Sequence, residues 1–241
     1  MVDSKSARSA YWHPFPRTRD AAGPMLGDPR HALAVATFLA VAAMIMCSLV
    51  WSTDARSAIQ WVDDHFLSLV ERLRWAPLVK VAKALAFLGG VWSTWIIRTV
   101  VLALLTWRRK WLHLGAFVLA VVTSEALIGP LKALYERPRP PGSLVETSTY
   151  SFPSGHAIAG AVTAVGLVIV MLPPGHTRWV WERRAALYAS LMALSRTYIG
   201  AHWLSDVVAG ALIGSALAIG WPALLVLWRF RASARPDRAS P

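Results

Sequence analysis

The sequence predicts an all-α integral membrane protein, a bundle of six transmembrane helices with an interfacial helical segment between the first and second spans. Three observations carry that prediction. Hydrophobic residues make up 56% of the 241 and charged residues 16%, whereas soluble domains run at about 45–50% apolar and about 25% charged. Apolar runs close to the length a bilayer demands, roughly 17 to 25 helical residues, recur six times. The 25 Lys and Arg, against 13 acids and for a net charge of +12, sit largely between those runs, where orienting charge belongs. That scatter forms no single basic surface and argues against nucleic acid as a partner. The single cysteine, Cys47, excludes an intrachain disulfide framework and a Cys-rich zinc site.

Taken in order, residues 1–30 form a cytoplasmic arm with five basic residues, three acids and four prolines, too polar and too broken to pack a core. The first span, 31–51, carries no Lys, Arg, Asp or Glu. It exceeds a signal-peptide core and lacks an A-x-A-like end, so it reads as a retained helix. Residues 52–90 interleave Asp54, Asp63, Asp64, Glu71, Arg72 and Arg74 with Ile59, Trp61, Phe66 and Leu69, a pattern suited to amphipathic helices at the interface. Residues 77–90, with Lys80 and Lys83, are placed there too.

The second span, 91–107, ends at Arg108, Arg109 and Lys110, and the third covers 111–134. The fourth runs 154–172, the fifth 184–200 and the sixth 202–228, followed by a basic cytoplasmic tail, 229–241. The membrane domain is therefore 31–228. With the N-terminus inside, fifteen of the 25 basic residues fall on the cytoplasmic side, so both termini are expected there, with the opposite loops on the outer side of the membrane. Trp51, Trp107, Trp111, Trp179, Trp181, Trp203 and Trp228 lie near span ends, as in an aromatic belt. Gly155, Ala159, Gly160, Gly166, Gly210 and Gly214 suit close helix approach. Arg98 and Glu125 lie inside spans at similar depth, about 10 and 14 Å from the outer ends, and are expected to pair because a lone intramembrane charge is costly.

Three polar clusters then fall on the outer side. Lys132 and Arg139 flank the end of the third span, with Arg137 between them. Ser154, Gly155 and His156 open the fourth. Ser195 and Arg196 precede His202 and Asp206 around the junction of the fifth and sixth. Lys132, Arg139 and Arg196 suit a multiply charged oxyanion, phosphate above all. Ser154 can cap the helix it precedes, whose free N–H groups bind phosphate oxygens, and Gly155 allows close backbone approach. His202 and Asp206, four apart, would share a helix face, with the carboxylate fixing the imidazole. One histidine can attack phosphorus while the other protonates the departing oxygen, with the cations neutralising phosphoryl charge and no metal or other cofactor required. Ser195 is expected to pack, and the loop 141–152 to act as a lid or a connector.

The three motifs K-x6-RP, PSGH and SR-x5-H-x3-D, spanning residues 132–206, resemble the signatures of the type 2 phosphatidic acid phosphatase (PAP2) superfamily, which includes membrane lipid phosphatases and soluble vanadium haloperoxidases. The resemblance implies His202 as nucleophile, Asp206 as its partner and His156 as general acid. It assigns phosphate binding to Lys132, Arg139, Ser154, Gly155 and Arg196. It further implies a metal-independent hydrolase acting on a membrane lipid phosphate or diphosphate, with an isoprenoid diphosphate such as undecaprenyl diphosphate the first expectation. Phosphatidylglycerophosphate, phosphatidate and lipid A are alternatives. A haloperoxidase conflicts with the multiple spans, and a phospholipid-binding transporter leaves the two histidines and Asp206 without a purpose. The motifs are silent on oligomeric state.

Overall fold

The computed structural model describes residues 25–233, and most of the expected arm and the end of the expected tail lie outside them. The described residues form eight helices and no strand: α1 (Pro29–Trp51), α2 (Thr53–Arg72), α3 (Ala76–Leu88), α4 (Val91–Trp107), α5 (Trp111–Tyr135), α6 (Gly155–Met171), α7 (His176–Tyr198) and α8 (Leu204–Ser233). Each boundary has a local cause. The Asp28 carboxylate caps α1, accepting from the Arg30 and His31 amides at 2.8 and 3.2 Å. Helix α5 stops where Glu136 turns left-handed, φ 42°, just before Pro138, which cannot continue a helix.

Helices α1, α5 and α8 are each long and apolar enough to cross a membrane, and α3 with α4, bent by 45°, pass together as one broken unit. Helix α6 is apolar but shorter, at 17 residues. The six-span expectation is thus matched outright by three helices. Helix α7 departs most from it, starting at His176 instead of 184. The charges of its first turns pair along the helix, Arg178 Nε donating to Glu182 Oε1 at 2.7 Å, and Arg183 and Arg184 lie over the rings of Trp179 and Trp181. Helix α8 likewise continues to Ser233, past the expected boundary at 228.

Helix α6 is the most buried element, packed against α5, α7 and α8, while α1 lies along α8. Glycine permits close backbone contact between α6 and α8: a Cβ on Gly210 would sit 2.6 Å from the Ser154 carbonyl oxygen, and one on Gly214 2.5 Å from that of Ile158. The molecule's outward face is apolar, with Phe38 71%, Trp92 78% and Trp107 77% exposed. A soluble protein rarely presents so much apolar surface, and a bilayer covers it. Trp203 is an exception to the expected belt, because it is buried and its indole N–H donates to the Pro138 carbonyl at 2.9 Å.

The buried Arg98 pairs with Glu125 as expected, NH1 to Oε1 at 2.6 Å, and adds a bond from Nε to Thr163 Oγ1 at 3.0 Å. This ties α4 to α5 and α6. The amphipathic segment does form helices, yet α2 is not turned only to interface and solvent, since Asp63 points inward and is 1% exposed. Helix α3 packs on α7 and hinges into α4 at Gly89 and Gly90, instead of lying apart at the interface.

Candidate active site

The ends of α5, α6, α7 and α8 meet at one end of the bundle, and the three sequence motifs meet with them. The start of α6 is fastened to α8 by the Ser154 amide, which donates to the Asp206 carbonyl at 3.0 Å. Ser154 also caps α6, its Oγ accepting from the Ala157 amide at 3.4 Å. A Cβ on Gly155 would meet Ile128 at an ordinary 3.4 Å, so packing alone does not demand glycine there. His156 occupies the first turn, within electrostatic reach of Arg196, His202, Arg139 and Lys132.

His202 lies in the turn before α8, so it and Asp206 do not share a helix face as expected from their spacing. The chain reverses there, with the Ala201 and His202 amides both donating to the Arg196 carbonyl. Asp206 instead reaches back from the first turn of α8. Its Oδ2 accepts from the Trp203 amide at 2.9 Å and lies 3.4 Å from His202 Nδ1. An acid in the first turn satisfies an otherwise orphaned N–H at the helix start, and the same oxygen orients the imidazole. The other ring nitrogen, Nε2, is 3.4 Å from Arg139 NH1, so it faces the cations. Burial pushes His202 down to about 4, with Asp206 pulling the other way. The imidazole is therefore neutral near pH 7.

Arg139 is anchored through NH1 to the Ala201 carbonyl at 2.6 Å and through Nε to that of Thr149 at 2.5 Å. Burial lowers its guanidinium from the ordinary value, with Asp206 opposing the shift. Lys132 donates to Thr149 Oγ1 at 3.3 Å and to the Tyr150 carbonyl. The loop 141–152 therefore holds both cations in place. Arg196 is buried, and its Nε has no hydrogen-bond partner among the described residues. Ser195 bonds within its own helix, its hydroxyl donating to the Met192 carbonyl, which is the packing role expected of it. A cleft of ≈ 320 Å³ reaches His156 and Arg196 from the α3–α4 hinge, lined there by Lys83, Phe87, Gly90 and Trp92. No group of three or more His, Cys, Asp or Glu among the described residues is arranged to hold a metal ion.

The sequence reading left Arg137 undecided and overlooked Asp63 and Gln60. Arg137 is buried, donating through NH1 to Asp206 Oδ1 at 2.8 Å and Ser205 Oγ at 2.6 Å. Through NH2 it donates to Asp63 Oδ2 at 2.7 Å and Gln60 Oε1 at 2.8 Å. The only sequence signal was that Asp63 and Gln60 interrupt an amphipathic helix.

Residues 113–232 match the PAP2 superfamily, a stretch that contains all three motifs. The chain belongs to the PAP2 superfamily. It is 28% identical over 172 residues to phosphatidylglycerophosphatase B of Bacillus subtilis, covering 67% of this chain and 82% of that protein. Over 107 residues it is 36% identical to undecaprenyl-diphosphatase of Sulfolobus acidocaldarius, 42% of this chain and 47% of the relative. Over 155 residues it is 30% identical to decaprenylphosphoryl-5-phosphoribose phosphatase of Mycobacterium tuberculosis, 58% and 76%. The fold matches that of the transmembrane PAP2-type phosphatidylglycerolphosphate phosphatase of Bacillus subtilis, with a TM-score of 0.67, 23% identity and coverage of 84% of this chain and 98% of that one. This PAP2 protein is thus an enzyme of a phosphatase family whose named members act on membrane lipid phosphates.

Proposed function

We propose that this PAP2 enzyme removes the terminal phosphate of an isoprenoid diphosphate, with undecaprenyl diphosphate as the representative substrate, through a phosphohistidine on His202. The observation that carries this reading is the orientation of His202: Nδ1 lies against Asp206 and Nε2 faces Arg139. Lys132, Arg139 and Arg196 hold the phosphoryl oxygens, assisted by Ser154 and Gly155 at the α6 N-terminus. Nε2 attacks phosphorus in line, forming the N–P bond as the P–O bond to the leaving group breaks. His156, protonated once the anionic substrate offsets the surrounding cations, gives that oxygen its proton. His156 then takes a proton from water, whose oxygen displaces the histidine and releases inorganic phosphate. Asp206 stabilises the positive imidazole that these steps create.

An isoprenoid carrier is preferred because two of the relatives above are named for prenyl phosphates, and one of those matches at 36% identity. In this reading α1, the α3–α4 pair, α5, α6, α7 and α8 make six crossings. The charge distribution supports cytoplasmic termini and a site at the outer leaflet.

Phosphate release from a panel of undecaprenyl diphosphate, phosphatidylglycerophosphate, phosphatidate and lipid A tests the proposal. Purified protein should act on the diphosphate best and should keep its activity in chelator. His202→Ala and His156→Ala should each abolish release. Residual turnover in His202→Ala, or a strict divalent-metal requirement, would overturn the mechanism. A preference for phosphatidylglycerophosphate would replace the substrate.

A further inference from the structure

The three motifs supply a nucleophile candidate and its cations, but they leave out a buried acid that the fold brings to the same place. Asp63 comes from α2 and is 1% exposed, against 1% for Arg137 and 0% for Asp206. Its Oδ1 accepts from the Ser205 amide at 2.9 Å, and its Oδ2 from the Ser205 hydroxyl at 2.6 Å and from Arg137 NH2 at 2.7 Å. The Ser205 hydroxyl in turn accepts from Arg137 NH1. Arg137 therefore sits between two carboxylates, and the second, Asp206, touches His202. The bonds form one chain from α2 to the imidazole.

We propose that Asp63 is a positioning residue for the phosphatase reaction: acting through Arg137, it fixes the Asp206 carboxylate against His202 and preserves the anionic charge that Asp206 presents to the ring. The inference rests on the reading of His202 as nucleophile. With Oδ1 of Asp206 committed to Arg137, Oδ2 is left for the Trp203 amide and the imidazole, so the carboxylate has one rotation. Charge supplies the second part of the argument. Arg137 alone would neutralise Asp206, whereas Asp63, Arg137 and Asp206 together carry a net single negative charge.

That charge matters because the other groups facing His202 are Arg139 from the loop after α5, Arg196 of α7 and His156 of α6, with Lys132 of α5 acting on the neighbouring Asp206. None of these favours a positive ring. A phosphohistidine or imidazolium therefore depends on the carboxylate side, and a buried charge deprived of its compensation perturbs its neighbours strongly.

Steady-state kinetics and pH profiles of the full-length protein test the proposal, using Asp63→Asn, Arg137→Met, the double variant and His202→Ala, each with its folded fraction checked by gel filtration. Asp63→Asn leaves Arg137 to neutralise Asp206 and should lower kcat by about tenfold or more with KM within about twofold, while moving the acid limb of kcat/KM downward. Arg137→Met leaves two carboxylates facing the ring and should move that limb upward. This shift carries the test if Asp63→Asn does not fold. The double variant restores the single negative charge and should recover part of the kcat lost in Asp63→Asn, with a limb between those of the single variants. An acid limb unmoved in the folded single variants, or a kcat for folded Asp63→Asn equal to wild type, overturns the proposal. Turnover by His202→Ala would instead show that the nucleophile reading itself fails.

Discussion

At the scale of single residues, the proposed reaction depends on a histidine that burial keeps uncharged. The His202 ring is lowered to about 4 by desolvation, against the pull of Asp206, and an imidazole normally titrates near 6.5. The sign follows directly: a depressed folded value means that the neutral, nucleophilic form persists as pH falls from 7 to 5. The acid limb of kcat/KM due to this group is expected well below 6.5, after correction for substrate ionisation measured separately. A limb at the ordinary histidine value would show that the ring is hydrated and free. The same depression contributes stability above about pH 6.5 that is lost as pH falls toward 4. Arg98 makes a contrasting case. Breaking a pair so that a buried charge is left uncompensated costs about 3 to 5 kcal/mol, so Glu125→Ala, which strands the fully buried Arg98, should lower the melting midpoint in detergent by roughly 6 to 20 °C. Arg98→Met should cost less, since the Glu125 carboxylate it leaves behind is 38% exposed and can hydrate. Equal losses in the two variants would show that the stranded charge of Arg98 is not what sets the cost.

At the scale of helices, glycine sets how closely α8 approaches α6, and through that contact where Ser154 and His156 lie. The atoms a Gly214 side chain would strike are the Ile158 carbonyl oxygen at 2.5 Å and Ala161 Cβ at 2.9 Å, neither of which can rotate away. Gly214→Leu is therefore expected to abolish monodisperse protein on gel filtration. Gly129, with nothing within 4 Å of its would-be Cβ, is the control, and Gly129→Ala should behave as wild type. This spacing was legible in the sequence, because small residues four apart have few other uses in an apolar helix. The placement of Ser154 at a cap was legible for a similar reason, since a hydroxyl directly before an apolar run has a local partner. The inward turn of α2 was not. Periodicity records that Asp63 stands among apolar neighbours, but the partner that stabilises it, Arg137, is 74 residues away, and no local pattern encodes that distance. Helix α7 begins eight residues before the expected span, and the Arg178–Glu182 pair and the tryptophan stacking absorb the charge of its first turns.

At the scale of the whole molecule, the argument turns on which way the bundle sits in the bilayer. The site loops, 136–154 and 199–203, open at one end, and Arg108, Arg109 and Lys110 cap the other between α4 and α5. A cluster of three cations on a tight turn resists translocation, whereas Lys132, Arg139 and Arg196 are spread over separate elements and engaged with loop carbonyls or buried. The orientation proposed above follows from that difference. It can be read chemically, because Cys47 is the sole cysteine and a Cys47→Ser background is silent to thiol reagents. In that background Leu144→Cys, on the site side, should react with a membrane-impermeant maleimide added to intact cells. Arg109→Cys should react only after the membrane is permeabilised. The converse labelling would put the site in the cytoplasm, where it would meet lipid phosphates of the inner leaflet. The reaction assigned to His202 would survive that inversion, but its place would change from handling a carrier lipid after export to handling a lipid precursor before it.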